Sequence, residues 1–203
     1  MGAEVLITVF VVDDDEAVRD SIRMLLEAEG LTTKCFAGGK EFVDYYRSAD
    51  KGCLILDMLM PEMNGLAVLD KLNLMEAPLP VVFITGHGDI PMAVEAMRRG
   101  AVNFIRKPFT EEELLSCVDE ALSLDRQKWR QQEGLVAMRH KVSLLTPREL
   151  EVFERVTVGQ ANKVIAIELG ISERTVEIHR GKVMHKTDSR SLTDLVRLRI
   201  GLE

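Results

Sequence analysis

The sequence predicts a two-part chain: a doubly wound α/β domain on a parallel five-stranded sheet, then an all-α tail. Three observations carry the prediction. Short β-branched runs alternate with amphipathic helical patterns up to about residue 121. No strand signal recurs beyond it. The charge balance changes at the same place, from 22 acids and 11 bases over residues 1–121 to 11 acids and 15 bases over residues 122–203.

Strands are expected at Leu6–Val12, Thr32–Phe36, Cys53–Leu56, Pro80–Ile84 and Ala101–Ile105. Helical periodicity covers Glu16–Ala28, Lys40–Ser48, Leu66–Leu74 and Ile90–Arg99 between them. A fifth helix starts after "KPFT", where Thr110 can cap and Glu111, Glu112 and Glu113 suit the positive end of the helix dipole. Five strands and five helices in this length fit the flavodoxin-like doubly wound fold, whose ligands bind at the carboxyl ends of the strands. The fifth helical pattern runs on as a polar linker to about Glu133, and Gly134 is expected to break it.

"LTPREL" then offers Thr146 as a cap and Pro147 at the first helical position. A helix over Asn162–Leu169 is expected to end at Gly170 in the left-handed conformation, and Ser172 to cap a second helix running to about Lys186. A tight turn followed by a capped helix is the helix-turn-helix device, which inserts an N-terminal helical face into the major groove of DNA. The basic balance of this half suits a polyanion.

Cys35, Cys53 and Cys117 form no CxxC pair, so neither a disulfide framework nor a zinc site is indicated. The apolar run "VLITVFVV" is too short to span a bilayer and leads into "DDDE", so a cytoplasmic protein that meets no membrane is expected. His179 and His185 have no partner at metal-ligand spacing.

The strand ends hold the chemistry. "LILD" finishes on an acid, and desolvating an unpaired carboxylate is expensive. The predicted fold puts Asp13, Asp14 and Asp57 at one rim of the sheet, tolerable only with a compensating cation or proton. Oxygen ligands favour Mg²⁺, and a dication there would let Asp57 act as a nucleophile toward a phosphoryl group. Lys107 and Thr85, at the ends of two further strands, supply an ammonium and a hydroxyl for the phosphoryl oxygens, and Gly86 leaves the approach open.

"VVDDDEAVRDS", "LILDMLMPEMNG", "FITGHGD" and "FIRKPF" together resemble the receiver domain of a two-component response regulator. The resemblance implies Asp57 as phosphoacceptor and Asp13, Asp14 and the backbone carbonyl of Leu59 as Mg²⁺ ligands. It further implies Thr85 and Lys107 as phosphoryl-binding residues, Phe104 as the switch aromatic, and a cis Lys107–Pro108 peptide. Phosphorylation-dependent pairing is expected through Val94, Met97, Arg98, Ala101 and Val102. Relatives usually carry Arg two residues after the phosphoacceptor, where this chain has Leu59. Leu59 and His87 are expected to flank the path of attacking water.

"LTPREL…NK.IA..L.IS..TV..H…V..K" resembles the LuxR/FixJ/NarL-type DNA-binding domain and implies four helices, the last over Ser191–Arg199. Val176 and Val183 are expected to be buried, and the DNA-contacting set is Lys163, Ser172, Arg174, Thr175, Glu177, Ile178, Arg180 and Lys182. Arg180 suits guanine, Glu177 suits cytosine, and Lys163 and Lys182 suit phosphates.

The expected domains are a receiver over 4–122, a helical linker over 123–138 and a DNA-binding domain over 139–203. The expected partners are a sensor histidine kinase, double-stranded promoter DNA, RNA polymerase and, on phosphorylation, a second copy. A transcriptional regulator rather than an enzyme is expected. Two rivals stay open: a phosphohydrolase working through an aspartyl phosphate, against which Leu59 stands where such enzymes carry a second acid, and a scaffold that is never phosphorylated.

Overall fold

The computed structural model describes residues 7–75, 79–86 and 90–202. Leu6, at the start of the first expected strand, and His87 lie outside the described residues. The chain forms two compact units that divide between Trp129 and Arg130.

In the first unit the chain runs β1 (Ile7–Val12), α1 (Glu16–Ala28), β2 (Thr32–Phe36), α2 (Gly39–Tyr45), β3 (Lys51–Asp57), α3 (Gly65–Leu74), β4 (Val81–Thr85), α4 (Ile90–Arg98), β5 (Asn103–Arg106) and the larger part of α5 (Glu111–Ser143), whose residues from Arg130 onward belong to the second unit. All strand pairs are parallel, in the order β2-β1-β3-β4-β5. The alternation of strand side chains divides β3 between two cores. Leu54 and Leu56 pack with Phe42, Val68, Leu72 and Ala96 on one face, and Cys53 and Ile55 pack with Ile22, Leu26, Leu114 and Val118 on the other. A strand buried on both faces reads as an unbroken apolar run. Each fully buried Leu or Ile contributes roughly 1.5–3 kcal/mol, so β3 is a rigid place from which to present an acid.

Two helix ends differ from expectation. Helix α2 stops at Tyr45 instead of Ser48, because Tyr46 turns extended and is buried in the aromatic cluster of Phe10 and Phe42. Gly134 does not break α5, which continues to Ser143. An internal glycine costs about 1 kcal/mol relative to alanine, and the helix formers around it absorb that cost.

The second unit holds α6 (Pro147–Thr157), α7 (Asn162–Leu169), α8 (Glu173–Thr187) and α9 (Leu192–Ile200). Thr146 and Ser191 make capping boxes with Glu149 and Asp194, and the Ser172 hydroxyl accepts from the Thr175 N–H. Gly170 ends α7 at φ 65°, where a side chain would be strained. Val152, Phe153, Val156, Ile165, Val176, Val183, Leu195 and Leu198 make one core.

Candidate functional site

At the carboxyl rim of the sheet, Asp13 follows β1, Asp57 and Thr85 end β3 and β4, and Lys107 follows β5. Because β1, β3, β4 and β5 are successive neighbours, these ends converge. Lys107 Nζ donates to Asp13 Oδ2 at 2.6 Å and to Asp57 Oδ1 at 2.8 Å. The other Asp57 oxygen accepts from the Leu59 N–H at 2.7 Å, and Asp13 Oδ1 accepts from the Asp15 N–H at 2.9 Å. Asp13 and Asp57 are only 2% and 6% exposed, so two buried carboxylates share one ammonium. The Lys107 N–H donates to the Thr85 carbonyl at 2.8 Å, tying the last two strand ends together, and Thr85 is itself buried. The Lys107–Pro108 peptide is cis.

Electrostatics here are unbalanced. Burial raises the Asp57 carboxyl above its ordinary range; the bond and charge of Lys107 oppose this, and the nearby charge of Asp13 adds to it. Burial pulls the Lys107 ammonium down, but its bonds to Asp13 and Asp57 outweigh that and hold it above its usual range. Hard oxygen donors with surplus negative charge fit a dication such as Mg²⁺, which favours one or two carboxylates and retains water. Asp14, the next residue along, is exposed. Among the described residues no three His, Cys, Asp or Glu side chains form a metal-holding group.

Leu59 is half exposed. Phe104 is half buried against the core beneath α4 and borders a groove of about 580 Å³ with Arg106, Pro108 and Cys117. On α4, Val94 and Met97 are exposed, as is Arg98. Val102 is half buried. Ala101 is buried and does not belong to that surface, because its N–H bonds Ala96 and its methyl enters the core.

On α8 the residues sort by face. Val176, Val183 and Thr187 are buried. Arg174, Glu177, Ile178, Gly181 and Lys182 are exposed, and Lys163 is exposed at the start of α7. Ser172 and Thr175 share a hydroxyl–hydroxyl bond of 2.8 Å at the helix start. Arg180 lies elsewhere than expected: its Nη1 donates to Asn162 Oδ1 at 2.6 Å, and it is half buried.

Three structural supports escape a reading of the sequence alone. A Cβ on Gly65 would lie 2.5 Å from the Asp57 carbonyl and 2.7 Å from the Phe83 ring, so α3 approaches the acid-bearing strand end only with glycine there. Buried Glu149 accepts from Lys186 Nζ at 2.6 Å and from the Thr146 N–H at 2.9 Å, joining the cap of α6 to the last turn of α8. Buried Asp125 accepts from the Gly52 N–H at 3.0 Å and from the Trp129 indole at 3.1 Å, fastening α5 to the start of β3. An acid at a helical core position was the one available signal for Asp125. The Glu149 pair spans 37 residues and left none.

Comparison with known proteins agrees with this division. Residues 9–119 match the family described as response regulator receiver domain, and residues 143–199 match bacterial regulatory proteins of the luxR family. The transcriptional regulatory protein FixJ of Azorhizobium caulinodans is 41% identical over 94% of this chain and 90% of its own length. The response regulator protein TodT of Pseudomonas putida is 42% identical over 94% of this chain and 84% of its own. Among solved structures, the response regulator StyR is 42% identical with a TM-score of 0.87, covering 95% of this chain and 98% of that one. Full-length FixJ from B. japonicum is 36% identical with a TM-score of 0.60, covering 96% of each. No described helix is long and apolar enough to cross a membrane. With receiver-type strand ends in one unit and a LuxR-type helix-turn-helix in the other, the chain belongs to the two-component response regulators, as a transcriptional regulator of the FixJ kind.

Proposed function

We propose that Asp57 accepts a phosphoryl group from a sensor histidine kinase, and that the phosphorylated chain pairs with a second copy and binds promoter DNA in the cytoplasm. The observation that carries this reading is the pair of buried acids sharing Lys107. One Asp57 oxygen forms the new P–O bond as the donor's P–N bond breaks. Lys107, already at Asp57, meets the added charge, and the Thr85 hydroxyl offers a further contact. Mg²⁺ supplies charge neutralisation when bound. Asp13 and Asp57 would hold it, with Asp14 and the Leu59 carbonyl as the family's further ligands.

Charge-assisted hydrogen bonds contribute about 1.5–3 kcal/mol each, and taking a two-state equilibrium from about 1:99 to 99:1 needs about 5.5 kcal/mol. Two or three new contacts suffice. Phe104 is the switch aromatic, and exposed Val94 and Met97 support pairing through α4 and β5. Residues 139–203 carry 12 bases and 9 acids, a charge too small for tight binding by one copy. Pairing multiplies that affinity through effective concentration. Lys163 and Lys182 reach phosphates, and Arg174, Thr175, Glu177 and Ile178 reach base edges beside the Ser172 cap. RNA polymerase is the remaining partner.

The corresponding domains are the receiver over 4–122, the linker over 123–138 and the DNA-binding domain over 139–203. The division of the units between Trp129 and Arg130 supports this partition. Incubation with acetyl phosphate and Mg²⁺ tests the core claim by mass spectrometry. The parent gains one phosphoryl group and Asp57→Asn gains none; an unchanged parent would establish the scaffold instead. Turnover of a phosphate ester would establish the phosphohydrolase. Apolar Leu59 sets the lifetime of the phosphoryl group, so Leu59→Arg decays at a different rate; equal rates dismiss that role.

A further inference from the structure

The buried residues of α8 recur as Val176, Val183 and Thr187, and Arg180 falls on the same stripe, four residues after the first and three before the second. At 3.6 residues per turn it points nearly opposite to Ile178, Lys182 and His185, all of which are exposed. Its guanidinium bonds the side chain of Asn162, the first residue of α7. That helix begins at Ala161, which provides no capping side chain. The N–H groups that start α7 leave a guanidinium no favourable reason to be there, so the Asn162 oxygen holds it in place. To reach a base edge, Arg180 would have to give up this bond and turn around the helix.

We infer that Arg180 is a positioning residue: through Asn162 it fixes how the reading helix α8 crosses α7, and it reads no base itself. The inference rests on the DNA-binding role proposed above. It leaves sequence discrimination to the outer face of α8, where Gly181 has open space around its Cβ position and lets the groove wall approach.

The test uses the full-length, phosphorylated protein and a pool of random-sequence DNA duplexes, from which the parent selects its site. Asn162→Ala keeps α7 intact, since alanine is the best helix former. Asn162→Ala and Arg180→Met are each expected to bind the selected site about tenfold more weakly, the weight of one charge-assisted hydrogen bond. The double variant is expected to bind no more weakly than either. Arg180→Gln, which keeps a donor, is expected to recover most of the loss. The base preferences of the selected DNA and the slope of affinity against salt are expected to stay as in the parent.

Loss of preference at one base pair in Arg180→Met alone would make Arg180 a reader and overturn the inference. A salt slope smaller by about 0.9 would make it a phosphate contact, with the same consequence. Lower thermal stability with unchanged affinity of the folded protein would reduce the bond to a structural one and also overturn it. Should Arg180→Met fail to fold, the comparison of Asn162→Ala with Arg180→Gln decides. A parent that selects no DNA refutes the DNA-binding reading itself, a failure visible before any variant is made.

Discussion

Lys107 and Lys186 each place an ammonium 2.6 Å from a buried carboxylate, yet the two sites have opposite electrostatics. Glu149 is the one acid bonded to Lys186 among the described residues, it also accepts from the Thr146 N–H, and these bonds bring its carboxyl down to about 2. Asp57 shares Lys107 with Asp13, and burial leaves its carboxyl raised. One acid per cation, with backbone donors added, makes a fastener. Two acids per cation leave a negative charge that only a further cation or a proton can meet, a condition suited to a site whose ligands come and go.

The largest effect should come from breaking the satisfied site. Glu149→Ala removes the partner of Lys186 and half a capping box, at a cost of about 3 kcal/mol to the second unit. Urea denaturation, with hydrogen exchange along α6 and α8, measures it; a loss below about 1 kcal/mol would erase the contrast. The pH dependence follows from the lowered carboxyl. Its contribution is complete above the ordinary value of 4.5 and disappears as pH falls toward about 2.

Gly65→Ala tests the backbone that presents Asp57. A methyl there meets a carbonyl that cannot yield, so a cost of about 2 kcal/mol is expected in the first unit. Asp57→Asn should move stability the other way. A raised folded pKa means that ionised Asp57 subtracts from stability at neutral pH, and the subtraction fades as pH falls through that raised value into the ordinary carboxylate range. The amide carries no charge and its one oxygen still accepts from Lys107, at the cost of the Leu59 N–H bond, so a gain of about 1 kcal/mol is expected by thermal denaturation without Mg²⁺. Destabilisation would place Asp57 with Glu149.

How much of this was legible in the sequence depended on range. The caps at Thr146 and Ser172 and the stop at Gly170 were readable because each is decided within about four residues. The strand ends were readable because the βαβ alternation fixes where each acid emerges. How deeply each acid sits was less so: leaving a strand, successive residues diverge, and Asp14 is exposed while Asp13 is buried. The inward face of Arg180 was available from its spacing to Val176 and Val183, but its chemistry pointed toward guanine. The pairing of Glu149 with Lys186 needs the packing of α6 on α8, which no local pattern states.

Asp125 is the intermediate case and gives the smallest expected effect. It is 2% exposed and accepts from two neutral donors; burial raises its carboxyl against the pull of both donors and of the Lys51 and Lys128 charges. Asp125→Asn removes the charge but leaves one acceptor oxygen for two N–H groups. Gly52 lies in buried β3, where no water can replace a lost acceptor, so the amide oxygen should stay with it. The Trp129 indole is half exposed beneath the Lys51 ammonium and can turn to water. Relief of charge and loss of one bond then nearly cancel, for a change within about 1 kcal/mol. Trp129 is the chain's one tryptophan, so its emission should move to longer wavelength while stability hardly changes. An unmoved emission with a loss of about 3 kcal/mol would show that neutral donors satisfy a buried carboxylate as completely as Lys186 satisfies Glu149, and that the shared cation is not what sets Asp57 apart.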